Sequence, residues 1–270
     1  MLFFVYRIKK ELCMLVNTPI ANLYSEPSVG ELDDQILYGE EADVLERSNG
    51  FAKIRTEYGY EGWIEERHLA IRRYDGAIMR VVTPFCTVLD IPKYQGRTVV
   101  TLPRGAKVEM TGENNSFAQV RLIGGEKGYI RRSHIAALPG KLREAELRRA
   151  VTETAKAYLG VPYLWGGRSS VGMDCSGLCH TAYWLNGVAI YRNSRMAEGF
   201  PVKAIDPANM NSGDLLYFKG HVAMYLGGGK YIHATGRAGD DRVVINSLFP
   251  EDAGYREDLA NGLVAVGSVF

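Results

Sequence analysis

The sequence predicts an α+β protein built from three units: two small antiparallel β-barrels and then one larger α+β domain. Three observations carry that expectation. The chain matches itself without a gap at an offset of 66 residues, Pro139-Gly140 then breaks the alternating pattern, and beyond it a helix, a glycine-rich loop, a second helix and an alternating hairpin follow in order. A length of 270 residues has room for two to three such units, and 46% hydrophobic with 23% charged residues is a globular balance. Lys plus Arg number 32 against 31 for Asp plus Glu, a net charge of +1. No global field draws this chain onto nucleic acid or an anionic membrane, so neither is expected as a partner. Nothing in the sequence implies an obligate protein partner.

Residues 1–13 (MLFFVYRIKKELC) carry a short apolar run followed by positive charges. A secretory signal has the reverse order and a longer apolar core. The segment is therefore expected to lie outside the fold, and the protein to be cytoplasmic, with secretion as the alternative.

The two barrels are expected over residues 14–72 and 73–138. Residues 39–70 align with 105–136, and ten of the 32 pairs are identical, among them Phe51 with Phe117, Arg55 with Arg121, Gly62 with Gly128 and His68 with His134. Each copy consists of short alternating runs between Asn-Gly, Tyr-Gly or Gly-Gly turns, which is the pattern of a barrel of short strands. Each ends in Gly-Trp-Ile or Gly-Tyr-Ile, an ending that resembles bacterial SH3-like modules. Their charges have diverged: residues 1–72 hold 8 basic and 13 acidic side chains, whereas residues 73–138 hold 10 and 5. Complementary docking of one module on the other accounts for this, as does an acidic module that holds a cationic ligand group such as a free amine.

The third unit is expected over residues 139–270. A helix is predicted over 141–159, with Leu142, Ala145, Val151, Ala155 and Tyr158 near one face before Gly160 and Pro162 stop it. A glycine-rich loop then leads to a second helix over 175–186, with Asp174 as N-cap and Gly187 closing it. Cys175 thus sits in a helix first turn, where the dipole and unpaired amides favour a thiolate. Cys179 reads as a small buried hydrophobe and His180 as a packing residue. The cysteines, at 13, 86, 175 and 179, are too few for a disulfide scaffold and are expected to be thiols.

A base is expected from the hairpin around Gly227-Gly228-Gly229. That turn sets His233 opposite Ala223, with His221 one pleat along on the same face, while Val222, Met224, Leu226, Ile232 and Ala234 face the core. A zinc site from Cys175, Cys179, His180, His221 and His233 is the competing chemistry, but Cys-x3-Cys-His within one helix lacks the usual paired spacing. Neither metal nor cofactor is expected.

Tyr163-Leu164-Trp165-Gly166-Gly167, Met173-Asp174-Cys175-Ser176-Gly177-Leu178, Gly213-Asp214-Leu215-Leu216 and His221-Val222-Ala223-Met224 resemble the NlpC family of papain-like cysteine peptidases. The resemblance implies a papain-like α+β domain with Cys175 as nucleophile, His221 as base and His233 as third residue. The backbone amide of Cys175, with the Tyr163 hydroxyl, would meet the oxyanion. With two SH3-like modules in front, the resemblance narrows to the γ-D-glutamyl-L-diamino acid endopeptidases, which act on murein (peptidoglycan) peptides with a free N-terminal L-alanine. It then implies that Glu26, Tyr60 and Asp174 hold the amine and that Ser176 and Ser194 lie near the D-glutamate carboxylate. Glu31 shares a loop with Glu26, and the sequence does not choose between them. Asp214 reads as structural. The implied activity is recycling of wall peptides; the alternatives are a secreted endopeptidase on intact stem peptides and a non-catalytic wall-binding protein.

Overall fold

A computed structural model describes residues 14–114 and 116–270. The extension expected over residues 1–13, Cys13 included, lies outside the described residues. The first barrel holds β1 (Met14–Val16), β2 (Ile20–Tyr24), β3 (Leu32–Leu37), β4 (Glu41–Ser48), β5 (Phe51–Thr56), β6 (Glu61–Glu65) and β7 (Leu69–Ile71). The second holds β8 (Ala77–Val81), β9 (Phe85–Leu89), β10 (Thr98–Pro103), β11 (Lys107–Glu113), β12 (Phe117–Arg121), β13 (Lys127–Arg131) and β14 (Ile135–Ala136). Their strand orders are β3-β2-β6-β5-β4-β1-β7 and β10-β9-β13-β12-β11-β8-β14, the same topology twice.

The structural repeat therefore reaches back past Gly39, where the sequence repeat starts. Equivalent strands from β3 onward begin 66 residues apart, but β2 and β9 begin 65 apart, because the loop before β10 is one residue longer than the loop before β3. Each barrel closes on alternating apolar positions, Leu23, Ile36, Ile54 and Ile64 in one and Val88, Leu102, Val120 and Ile130 in the other, all fully buried. The barrels also dock on each other. Leu15 and Tyr38 of the first pack into the core of the second, the Ile123 amide donates to the Tyr38 hydroxyl at 2.7 Å, and Lys107 pairs with Glu57 at 2.5 Å. That ion pair is part of the complementarity the opposite charges suggested.

The third unit contains α1 (Glu144–Lys156), a ribbon of β15 (Arg168–Ser169) and β16 (Gly172–Met173), α2 (Cys175–Trp184), β17 (Lys203–Ile205), β18 (Leu215–Phe218), β19 (His221–Gly227), β20 (Lys230–Thr235), β21 (Arg242–Ser247), α3 (Glu257–Ala260) and β22 (Leu263–Ser268). Six strands form one sheet in the order β17-β22-β18-β19-β20-β21. α1 is shorter than predicted at both ends; at its start the Arg143 amide, bonded to the Glu146 carboxylate at 3.0 Å, caps it. α2 is buried along all but its last residue and lies on the sheet, with Leu178, Cys179 and Ala182 in one core with Val222, Met224, Ile232 and Ala234. Asp214 is structural as read: fully buried, it accepts from Arg148 at 2.9 Å and from the Ser268 hydroxyl at 2.7 Å. Among the described residues, no helix is long and apolar enough to cross a membrane.

Candidate active site

Asp174 caps α2 by accepting from the Gly177 amide at 2.5 Å, which sets Cys175 as the first helical residue. Gly177 is needed because a Cβ there would meet the Gly167 carbonyl oxygen at 2.1 Å, so the glycine-rich loop crosses directly over the helix start. The thiol of Cys175 is buried and receives the amides of Ser176 and Val222. Burial and the nearby Asp174 charge push it up to about 11, against the downward pull of those two amides and Arg192. Val222 follows His221 in the chain, so the sulfur rests on the start of β19, beside the histidine.

The hairpin has the expected register, with Met224 opposite Ile232 and Tyr225 opposite Tyr231, and a bulge at Gly227. It brings His221 Nε2 to 2.8 Å from His233 Nδ1. The chain of bonds continues: His233 Nε2 lies 2.8 Å from Asn246 Oδ1, and Asn246 Nδ2 donates to the Gly254 carbonyl at 2.8 Å. The carbonyl orients the Asn246 amide with its oxygen toward His233, so the His233 proton is on Nε2 and Nδ1 is an acceptor. His221 must then donate from Nε2, which leaves its Nδ1 unprotonated. Burial lowers both rings, His221 to about 3 with the help of His233 and Arg256, and His233 to about 4 despite Asn246. The resting site is therefore a neutral thiol with two neutral imidazoles in fixed tautomers.

Tyr163 is half-buried with its ring against Gly236, just past β20. Burial, then the Cys175 and Asp174 charges, push its phenol up to about 12, so the hydroxyl stays protonated beside the sulfur.

The first barrel forms one side of this site. Leu32 packs on Gly166, whose φ of +70° and lack of Cβ allow the contact. Arg192, fully buried, donates from Nε to Asp34 of the barrel at 2.6 Å and from Nη1 and Nη2 to Asp174 at 3.1 and 3.2 Å. A second buried guanidinium, Arg168, takes Glu40 of the barrel bidentately at 2.8 and 3.1 Å. Burial pushes the Glu40 carboxyl up, but Arg168 and the Leu37 amide together hold it below its ordinary value. Tyr58 joins the two pairs: it donates to Asp34 at 2.6 Å and accepts from Arg168 at 3.2 Å. Two acids of the first module, Asp34 and Glu40, are thus matched by arginines of the third unit, and Glu57 pairs with Lys107 across the barrels. His180, beyond the packing role read for it, is fully buried between Tyr58 and Trp184 with neither ring nitrogen bonded.

The remaining sequence expectations fare unevenly. Tyr60 is half-buried beside Asp34, Asp33 and Arg192, and burial and those two carboxylates raise its phenol. Asp174, expected to hold an amine, shares the single cation Arg192 with Asp34, with three bonds accepted on Oδ1 and one on Oδ2. Ser176, expected near a carboxylate, donates its proton to Asp174 at 3.0 Å and accepts from Arg192 at 2.9 Å. Ser194 is half-buried two residues past Arg192, and its hydroxyl makes no hydrogen bond among the described residues. Glu26 is exposed in the loop between β2 and β3, and its carboxylate likewise has no partner. Asn246, Arg192 and Asp34 escape the sequence reading, as do Arg168, Glu40 and Tyr58. For Asn246 the signal was present, since Val244 pairs with His233 and alternation puts Asn246 on that same face.

Two family models match the chain: the NlpC/P60 family over residues 160–252, and the bacterial dipeptidyl-peptidase Sh3 domain over residues 23–69. Dipeptidyl-peptidase 6 of Lysinibacillus sphaericus is 40% identical over 273 residues, which is 95% of this chain and 99% of that protein. A γ-D-glutamyl-L-lysine dipeptidyl-peptidase of Bacillus cereus is 28% identical, over 77% of this chain and 68% of its own length. Among solved structures, an NlpC/P60 family protein from Bacillus cereus superposes with a TM-score of 0.77 at 23% identity, covering 94% of this chain and 98% of that one. This likeness concerns the fold, and it spans both barrels and the third unit.

Proposed function

The chain belongs to the NlpC/P60 family of cysteine peptidases, and from that premise we propose that Cys175 is its nucleophile, His221 its base and His233 the residue that orients the base. The enzyme cleaves the bond between γ-D-glutamate and the diamino acid in peptidoglycan peptides. The observation that carries the residue assignment is the bond chain from Gly254 to His221, which leaves Nδ1 as the one free acceptor on the imidazole. In this reading the Cys175 proton passes to that nitrogen as sulfur attacks the γ-glutamyl carbonyl. The oxyanion meets the first-turn amide of Cys175 and the protonated Tyr163 phenol. The imidazolium, donating to His233, returns its proton to the leaving amine, and water then hydrolyses the thioester.

The amine of a leading L-alanine falls to the first barrel's edge, to Tyr60 with Asp33 and Glu31. Support comes from Asp33, which makes no ion pair among the described residues and whose carboxyl is raised by burial and by the crowded Glu31 and Asp34. The contact of Leu32 with Gly166 favours Glu31 over Glu26 for this part. Ser194, with an uncommitted hydroxyl, remains the candidate for the D-glutamate carboxylate. A site built around a free amine suits released peptides, so we assign the enzyme to cytosolic trimming of wall fragments.

Mass-spectrometric digestion of L-Ala-γ-D-Glu-diaminopimelate beside its N-acetylated form tests the reading. Release of L-Ala-γ-D-Glu from the free peptide alone is expected. Equal cleavage of both, or activity on polymeric peptidoglycan, would favour the wall-lytic alternative.

A further inference from the structure

At the far end of α2 from Cys175, the second barrel, the linker after it and the third unit enclose a cavity of about 280 Å³. Arg80 of β8 and Arg104 of the turn between β10 and β11 line it, with Thr154 of α1 and Asn186 just past α2. Four cations gather in this region, Arg80, Arg104, Lys107 and Arg168, against the two carboxylates Glu40 and Glu57. Arg168 is taken by Glu40 and Lys107 by Glu57. Arg80 and Arg104 are left over, and both are wall residues of the cavity, whose lining contains no carboxylate.

Their polar atoms are also left over. Arg80 Nη1 and Arg104 Nε are buried without a hydrogen-bond partner among the described residues, and Arg80 is only 8% exposed. Arg80 lies over the Trp184 ring at 5.2 Å, with Glu40 and Glu57 acting on it from further off, and Arg104 lies over the Tyr158 ring at 5.4 Å. A buried charge with unmet donors is costly unless an opposite charge joins it. A third donor is at hand: the Thr154 hydroxyl accepts from Asn186 Nδ2 at 2.9 Å and donates to no acceptor among the described residues. The rest of the wall is apolar, chiefly Val81, Leu138 and Leu185.

We propose that this cavity binds a small anion, a carboxylate or phosphate group held between Arg80 and Arg104 with any apolar body against Leu138 and Leu185. The site is separate from the peptidase centre, and its occupant bridges the second barrel and the third unit.

Calorimetric titration with succinate and with inorganic phosphate at fixed ionic strength tests it, together with thermal unfolding in the same solutions. Saturable binding of at least one probe is expected, with a rise in Tm that sodium chloride does not reproduce. Phosphate alone would identify a phosphate ligand, and succinate alone an organic acid. Arg104→Gln, on a half-buried turn, should weaken binding about tenfold or more and leave peptide hydrolysis without the anion unchanged. Arg80→Gln should act likewise; if it fails to fold, Arg104→Gln alone decides. No binding of either probe to the parent protein, or undiminished binding in Arg104→Gln, would overturn the proposal.

Discussion

Asn246 determines which nitrogen of His221 is free without touching it. Its oxygen takes the Nε2 proton of His233, and His233 in turn takes the Nε2 proton of His221. The base is thus prepared by two relayed hydrogen bonds that end on a backbone carbonyl.

Asn246→Leu should break the relay and let His233 present either nitrogen. We expect kcat to fall about 10- to 100-fold with KM little changed. Asn246→Asp keeps an acceptor and adds a charge that favours a protonated His233, so it should retain activity with the acid limb moved to higher pH. Steady-state kinetics of both variants decide this, and an unchanged kcat in Asn246→Leu would contradict the relay.

The low values of His221 and His233, about 3 and about 4, keep both rings neutral well below the usual histidine range. The acid limb of kcat/KM should therefore lie clearly below 6.5. The Cys175 thiol, pushed up to about 11, should be alkylated by iodoacetamide slowly at neutral pH and faster as pH rises. A limb at or above 6.5 would show a protonated histidine in the free enzyme.

His180, His221 and His233 are all lowered by burial, so below the unfolded value of 6.5 the unfolded chain binds protons that the folded chain refuses. Stability should fall as pH drops from about 6.5 toward 4, by up to ~1.4 kcal/mol per pH unit for each group. His180→Phe keeps the ring between Tyr58 and Trp184 and removes one such proton. Urea midpoints at pH 7 and pH 5 should differ less in this variant than in the parent, and an equal difference would mean that His180 is not the responsible group.

Arg192→Met would strand Asp34 and Asp174 without their shared cation. The expected loss is about 3–5 kcal/mol, read as a lowered urea midpoint. Since Asp174 also caps α2, alkylation of Cys175 should change in the same variant, whereas a purely distant packing defect would leave it alone.

Local pattern and long-range pairing divide what was legible in the sequence. The β19–β20 hairpin register and the N-cap at Asp174 follow from alternation, a glycine turn and capping chemistry, all within a few residues. Arg192 meets Asp34 across 158 positions and Arg168 meets Glu40 across 128, and no periodicity announces such partners. The same limit hides the contact of Arg192 with Asp174 and Ser176, because the arginine lies in a loop with no pattern of its own. In the barrels, a single extra residue before β10 hides the N-terminal part of the repeat from a gapless match while leaving the strand order intact.

The two arginine clamps bear on how this chain can change over generations. Arg168 and Arg192 lie in the third unit and their counter-charges, Glu40 and Asp34, in the first barrel, so a change at either end strands a charge at the other. The front and back of the gene are thereby coupled. A recombination that exchanged the barrels for an unrelated pair would leave Arg168 and Arg192 without counter-charges unless it carried matching acids.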